Sequence, residues 1–320
     1  MLSKFRTQNY RCLRSVEVRL RPLTVLIGPN DSGKTTFLRA VEQMATRLSH
    51  FSLRDAWRNE SNSDVSLWAK AEDTVRSIEG RPGDPCRENI EGAFIQKVSP
   101  IHRFELPMNG IWMECAGYNG DEERSLELEP NGNRVPALLD YLLRRDRKRF
   151  DLVVDALRQY IPGLDDIAIA TPQPQSRRVD LVIENGLRIP ASEASVGVRL
   201  MIFFVALAYH PDPPKVILLE EPENGMHPKR LAEVMRLLRD ITQGRYGNHA
   251  AQVILTTHSP YLLDCVNVDE DQVLVFKRNE DGSRDAQPVD AERLKIFLDE
   301  FMLGEVWFNE EEAGLVAKTS

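Results

Sequence analysis

Short apolar runs gather at the two ends of the chain, and the stretch between them is mixed. VEVRLRPLTVLIG, 16–28, holds Val, Ile and Leu runs that stop at a glycine, which predicts two strands. TTFLRAVEQMATRLS then places Phe37, Leu38, Val41, Met44 and Leu48 at helical spacing. Residues 51–90 are polar and poorly periodic, and RPGDP at 81–85 is a breaker. From about 92 to 130 the pattern predicts short strands in AFIQKV, HRFELP, GIWMECAGY and RSLELE, with Asn-Gly and Gly-Asp turns between them. A one-faced helix is predicted over 137–161, then strands near 166–171 and 178–184, then a buried helix over 195–210. The last third alternates: strand 215–219, helix 228–242, strand 252–256, a short helix from Pro260, the strand QVLVF and the helix ERLKIFLDE. Such alternation points to a parallel sheet of the α/β class. No internal repeat or low-complexity tract interrupts it.

Composition narrows this picture. The chain has 320 residues, 42% apolar and 28% charged, enough for one large α/β domain or two ordinary ones. Its longest apolar run, LMIFFVALAY at 200–209, is too short to span a bilayer. The first residues contain no apolar block, so no secretory signal is expected. Cys12, Cys86, Cys115 and Cys265 are widely spaced, which argues against a disulfide framework or zinc site and for a reducing cytoplasm. A net charge of −8 excludes a general nucleic-acid binder, so any DNA contact needs a local basic patch. RRDRKR, 144–149, is the one such cluster, balanced by the nearby Asp140, Asp146 and Asp151.

Three segments carry chemistry. GPNDSGKTT, 28–36, fits G-x-x-x-x-G-K-[ST] between a strand and a helix. Gly28, Pro29, Asn30, Asp31, Ser32, Gly33, Lys34, Thr35 and Thr36 would cradle the phosphates of ATP on backbone N–H groups and the helix N-terminus. Gly28 and Gly33 permit the tight turn, Lys34 reaches the β- and γ-phosphates, and Thr35 offers its hydroxyl to Mg²⁺. KVILLEEPENGMHP, 215–228, ends a buried strand in two carboxylates, at the sheet edge where ligands bind. Glu220 is placed to hold Mg²⁺ through water, and Glu221 to orient the attacking water. Aspartate is commoner at the metal position than the longer Glu220. AQVILTTHSPYLLD, 251–264, ends another strand at His258, placed to sense the γ-phosphate at that same edge. The plainer alternatives are a glycine turn, a solvated acidic loop and a structural histidine. The co-occurrence of all three segments disfavours them.

Together these residues resemble the ABC-type ATPases of the RecF, OLD and SMC group, and the stand-alone bacterial AAA-family ATPases within it. The segments that carry the likeness are NYRCLRSVEVRLRPLTVLIGPNDSGKTT, LLEEPENGMHP, TTHSPYLLD and FMLGEVW at 301–307. The resemblance implies a P-loop ATPase head with mixed parallel and antiparallel sheets and a mixed α+β insertion. The expected divisions are 1–84 for the first part of the head, 85–165 for the insertion and 166–320 for the rest of the head. It also implies that Ser195 and Gly197, in ASEASVGVRL, form the segment that touches the γ-phosphate of ATP bound by a second copy. A serine and free N–H groups at a helix N-terminus suit an anion, although the same serine serves as an ordinary cap. A glutamine between the phosphate loop and Ser195 is implied, with Gln96 the candidate, and Arg11 or Lys4 are candidates to touch the nucleotide.

Only 62 residues follow His258, fewer than the hundred or so of a typical domain, so a nuclease domain of the OLD kind is not expected after it. No sustained heptads of the SMC kind appear either. The expected function is hydrolysis of ATP to ADP and phosphate, coupled to formation of a homodimer or a higher even oligomer. It would switch a separately encoded effector or a DNA contact, in DNA repair or anti-phage defence. The alternatives are a nucleotide-binding regulator of a nuclease or toxin with negligible turnover, and a transporter subunit. The lack of a Gly-Gly after Ser195 disfavours the transporter.

Overall fold

The computed structural model describes residues 1–46, 48–107, 110–116, 126–247 and 249–289. The expected C-terminal helix ERLKIFLDE and the segment FMLGEVW lie outside the described residues. Two compact units divide the chain: Met1–Arg103, Pro214–Pro222 and the segment from Ala251 form the first, and Phe104–Pro213 with Glu223–Ala250 the second. These bounds differ from the expected 84/85 and 165/166. A cut at residue 84 would split the antiparallel pair β5 (Thr74–Gly80) and β6 (Arg87–Glu91). One at 165 would break into β9 (Leu164–Ala170), which pairs along its length with β10 (Ser176–Ile183).

The first unit is built on an eleven-stranded mixed sheet, in the order β6-β5-β4-β1-β2-β15-β14-β3-β13-β12-β7. At its centre, β3 (Leu23–Ile27) runs parallel to β14 (Gln272–Arg278) on one side and β13 (Gln252–Thr256) on the other. β12 (Val216–Glu220) continues the parallel run beside β13, in the register Glu220↔Thr256. These strands are almost wholly buried, which is why they read as continuous apolar runs. β7 (Ile101–Glu105) closes that side. α1 (Lys34–Glu42) follows β3 and buries Phe37, Leu38 and Val41. Phe37 meets Phe5 and Phe276 edge-on, with ring centroids 5.2 and 5.5 Å apart.

The antiparallel wing of this sheet departs from expectation. β1 (Leu2–Tyr10) pairs with β2 (Leu13–Arg19) and with β4 (Val65–Ala71), and β4 pairs with β5. Residues 51–90 thus supply three strands where sequence reading saw no period. β15 (Arg284–Pro288), also unforeseen, pairs with β14. AFIQKV forms a helix, α2 (Phe94–Val98), rather than a strand.

In the second unit, β8 (Glu114–Ala116), β10 and β11 (Leu187–Pro190) pair antiparallel, and β9 joins β10. The helix expected over 137–161 is two, α3 (Val135–Arg145) and α4 (Arg147–Tyr160). Asp146 breaks them and caps α4 by accepting from the Arg149 N–H. α5 (Val196–Ala208) is buried on every face from Leu200 onward, and packs against α4 and α6 (Pro228–Thr242).

Candidate nucleotide site

The first unit brings all three chemical segments to the C-terminal edge of three adjacent parallel strands. β3 delivers the loop at Gly28, β12 delivers Glu220 and Glu221, and β13 delivers His258. The sheet itself holds the loop in place, because the Thr257 N–H donates to the Leu26 carbonyl at 3.0 Å.

Gly28 has φ 148°, and a Cβ there would lie 2.4 Å from the Phe276 carbonyl oxygen. No other residue fits without moving backbone. Gly33 (φ 101°) caps α1, and its N–H groups follow from there into the helix. Lys34 is buried and donates from Nζ to the carbonyls of Gly28 at 2.8 Å and Pro29 at 2.9 Å. Ser32 is 2% exposed, and its Oγ has no hydrogen-bond partner. A buried hydroxyl inside a loop of this kind suits a phosphate oxygen. Two supports escaped the sequence reading: Arg284 Nε donates to the Asp31 carbonyl at 2.6 Å, and Cys12 Sγ to Thr36 Oγ1 at 3.5 Å.

The hydroxyl of Thr35 donates to Glu220 Oε2 at 2.8 Å. This joins the two residues expected to hold Mg²⁺ and leaves the hydroxyl lone pairs for a cation. Among the described residues no group of three or more His, Cys, Asp or Glu could hold a metal ion. A cation here would draw the rest of its shell from phosphates and water, as Mg²⁺ does.

Glu221 adopts φ 44°, rare for a side-chain-bearing residue, with its N–H held by the carbonyl and the hydroxyl of Thr256, both at 3.2 Å. That turn aims its carboxylate at His258, with Oε1 3.3 Å from Nε2. Burial lowers the His258 pKa, the Lys34 ammonium lowers it further and Glu221 opposes both, so the imidazole is neutral at pH 7.

Arg103, at the end of β7, was missed. It donates from Nη1 to Glu220 Oε1 at 2.6 Å and from Nε to Glu42 Oε2 at 2.9 Å. Burial lowers its pKa, but these two carboxylates raise it by more, so it stays charged. Its partners lie 117 and 61 residues away in sequence, beyond any local pattern.

Gln96 is not at this edge. It is exposed on α2, and its carbonyl accepts from Lys215 at the opposite, N-terminal end of β12. Arg11 is paired with Asp55 and Lys4 with Glu17.

Ser195 and Gly197 belong to the second unit. Ser195 is exposed and caps α5, its Oγ accepting from the Val198 N–H at 3.4 Å. Beyond its own helix turn and among the described residues, a Cβ on Gly197 would meet the Gly225 carbonyl alone, at 3.8 Å. The basic run 144–149 is largely neutralised: Arg144 pairs with Asp140, Arg147 with Asp151 and Arg149 with Asp146.

A family model described as "AAA domain, putative AbiEii toxin, Type IV TA system" matches residues 76–264, more than half of the chain. The chain belongs to this AAA-domain family. A second model, "AAA ATPase domain", matches residues 1–81 of the same AAA-family chain and so takes in the phosphate loop. The OLD nuclease of Thermus scotoductus is 23% identical over 358 residues, covering 88% of this chain and 63% of the nuclease. The DNA replication and repair protein RecF of an Exiguobacterium species is 27% identical over 186 residues, covering 58% of this chain and 37% of RecF. The chain therefore spans less than two-thirds of either relative. An SMC head solved with the C-terminal winged-helix domain of ScpA superposes with a TM-score of 0.62 at 12% identity, over 92% of this chain and 99% of that one. The SMC head domain of Thermotoga maritima gives 0.52 at 13%, over 91% and 99%. This AAA-family chain thus has the P-loop ATPase head fold of the RecF, OLD and SMC type, as expected from its motifs.

Proposed function

We propose that the chain is a Mg²⁺-dependent ATPase that converts ATP to ADP and phosphate. One observation carries this: the phosphate loop, the Thr35–Glu220 pair and the Glu221–His258 pair meet at one edge of three adjacent strands. Gly28 to Thr36 would bind the phosphates, with Lys34 exchanging its loop carbonyls for phosphate oxygens. Thr35 and Glu220 would hold Mg²⁺, which when bound neutralises charge on the transferring phosphoryl group. Glu221 would orient the attacking water, and the neutral His258 would hydrogen-bond water or phosphate.

In this reading two copies close on each other, and Ser195 and Gly197 of each complete the other's site. The exposed cap and the open space at Gly197 support it, because nothing among the described residues crowds a side chain there. The likeness to OLD nuclease and RecF supports a role in DNA repair or anti-phage defence, through DNA or a separately encoded effector, in the cytoplasm. No helix among the described residues is long and apolar enough to cross a membrane.

The second reading is a nucleotide-binding regulator with negligible turnover that controls a separately encoded nuclease or toxin. ATPase turnover of the wild type against Glu221→Gln separates the two. A fall of about 10² to 10⁴-fold is expected if Glu221 assists proton transfer from the water. Equal rates in the two proteins would sink the enzyme reading.

A further inference from the structure

Glu220 stands where a shorter aspartate is commoner, and its extra methylene adds a torsion that a free carboxylate would explore. The structure removes that freedom from both sides. Oε2 accepts from the Thr35 hydroxyl at 2.8 Å, and Oε1 accepts from Arg103 Nη1 at 2.6 Å. Arg103 is itself held by Glu42, the last residue of α1, whose first residues are Lys34 and Thr35. The guanidinium thus ties the end of α1 to the end of β12, and it does so out of water: the side chains of Arg103 and Glu220 are 16% and 17% exposed. One guanidinium between two carboxylates leaves the group a net negative charge to offer a cation.

We propose that Arg103 is a positioning residue for the metal site, fixing Glu220 so that a glutamate can hold Mg²⁺ where a shorter aspartate would need no such support. The proposal rests on the ATPase reading above. Its physical basis is the rigid planar fork of arginine, which meets two carboxylates in fixed directions; a lysine ammonium has no such plane. Losing a group that orients a metal ligand typically costs about 10- to 100-fold in metal affinity or activity.

The test uses the full chain, with Mn²⁺ as the probe cation followed by electron paramagnetic resonance in the presence of a slowly hydrolysed ATP analogue. Analogue binding in EDTA is measured alongside. Arg103→Ala is expected to weaken Mn²⁺ binding about 10-fold or more while leaving metal-free analogue binding unchanged. Arg103→Lys should recover part of the loss. On a Glu220→Gln background, Arg103→Ala should change Mn²⁺ affinity by no more than about twofold, because its partner there is already altered. Should Arg103→Ala fail to fold, Glu42→Gln tests the same tie, with a smaller loss in the same direction. Unchanged or tighter Mn²⁺ binding in the variants, or an undiminished effect on the Glu220→Gln background, overturns the role of Arg103 and leaves the ATPase reading standing. A wild type that takes up no analogue, with or without Mn²⁺, overturns both.

Discussion

His258 shows how a single residue acquires its character from three sources. Burial and the Lys34 ammonium both disfavour the imidazolium, and Glu221 only partly offsets them, so its pKa falls below the ordinary 6.5. Between that lowered value and 6.5 the unfolded chain binds a proton that the folded chain does not. This group therefore removes stability as pH falls through that window and makes no difference above it. In nucleotide-free protein, the His258 ring resonances, assigned with His258→Gln, are expected to titrate with a midpoint below 6.5. An added ATP analogue should raise that midpoint, since an anion favours the imidazolium. A midpoint at or above 6.5 without nucleotide would contradict the arrangement. The placement of Lys34, Thr35, Glu220 and His258 at one sheet edge was legible in sequence because each sits at a fixed offset from a strand end. Arg103 was not, because what gives it meaning is two distant carboxylates brought beside it by folding.

Among the elements, β5 shows what the alternation rule needs and what hides it. Val75, Ser77 and Glu79 alternate with Arg76 and Ile78, and the inward-facing arginine masked the period. Arg76 is 1% exposed, donating to Glu88 at 2.7 Å and to the carbonyls of Met44 at 2.5 Å and Thr46 at 2.7 Å. It thereby ties the strand to the turn that ends α1. Arg76→Met would leave the buried Met44 carbonyl without its donor, along with the part-buried Thr46 carbonyl and the Glu88 carboxylate, and an unsatisfied buried acceptor costs about 1–3 kcal/mol. Urea unfolding should show this as a midpoint well below that of wild type; a loss under about 1 kcal/mol would mean that water reaches these groups. RRDRKR was expected on a single helix, its charges balanced by nearby aspartates. Asp146 turns it into a helix junction whose arginines answer to neighbouring aspartates.

At the scale of the whole molecule, the proposal that Ser195 and Gly197 face a second copy makes a prediction about mass. With hydrolysis slowed by Glu221→Gln, the solution mass measured by light scattering is expected to double on addition of Mg-ATP. Ser195→Arg, at an exposed cap, should abolish the doubling with little effect on folding. A mass that never responds to ATP would reduce ASEASVGVRL to a capped core helix. The sequence by itself determined the glycine loop after β3, the two carboxylates after β12, the histidine after β13 and the parallel centre of the sheet. Each of these is a local pattern: a strand that is buried on both faces, followed by chemistry at its C-terminal end. Tertiary structure alone decided the antiparallel wing, the bounds of the two units, the left-handed turn at Glu221 and the clamp of Arg103 on Glu220. Those depend on which strands become neighbours, and pairing across many tens of residues leaves no period in the chain to read.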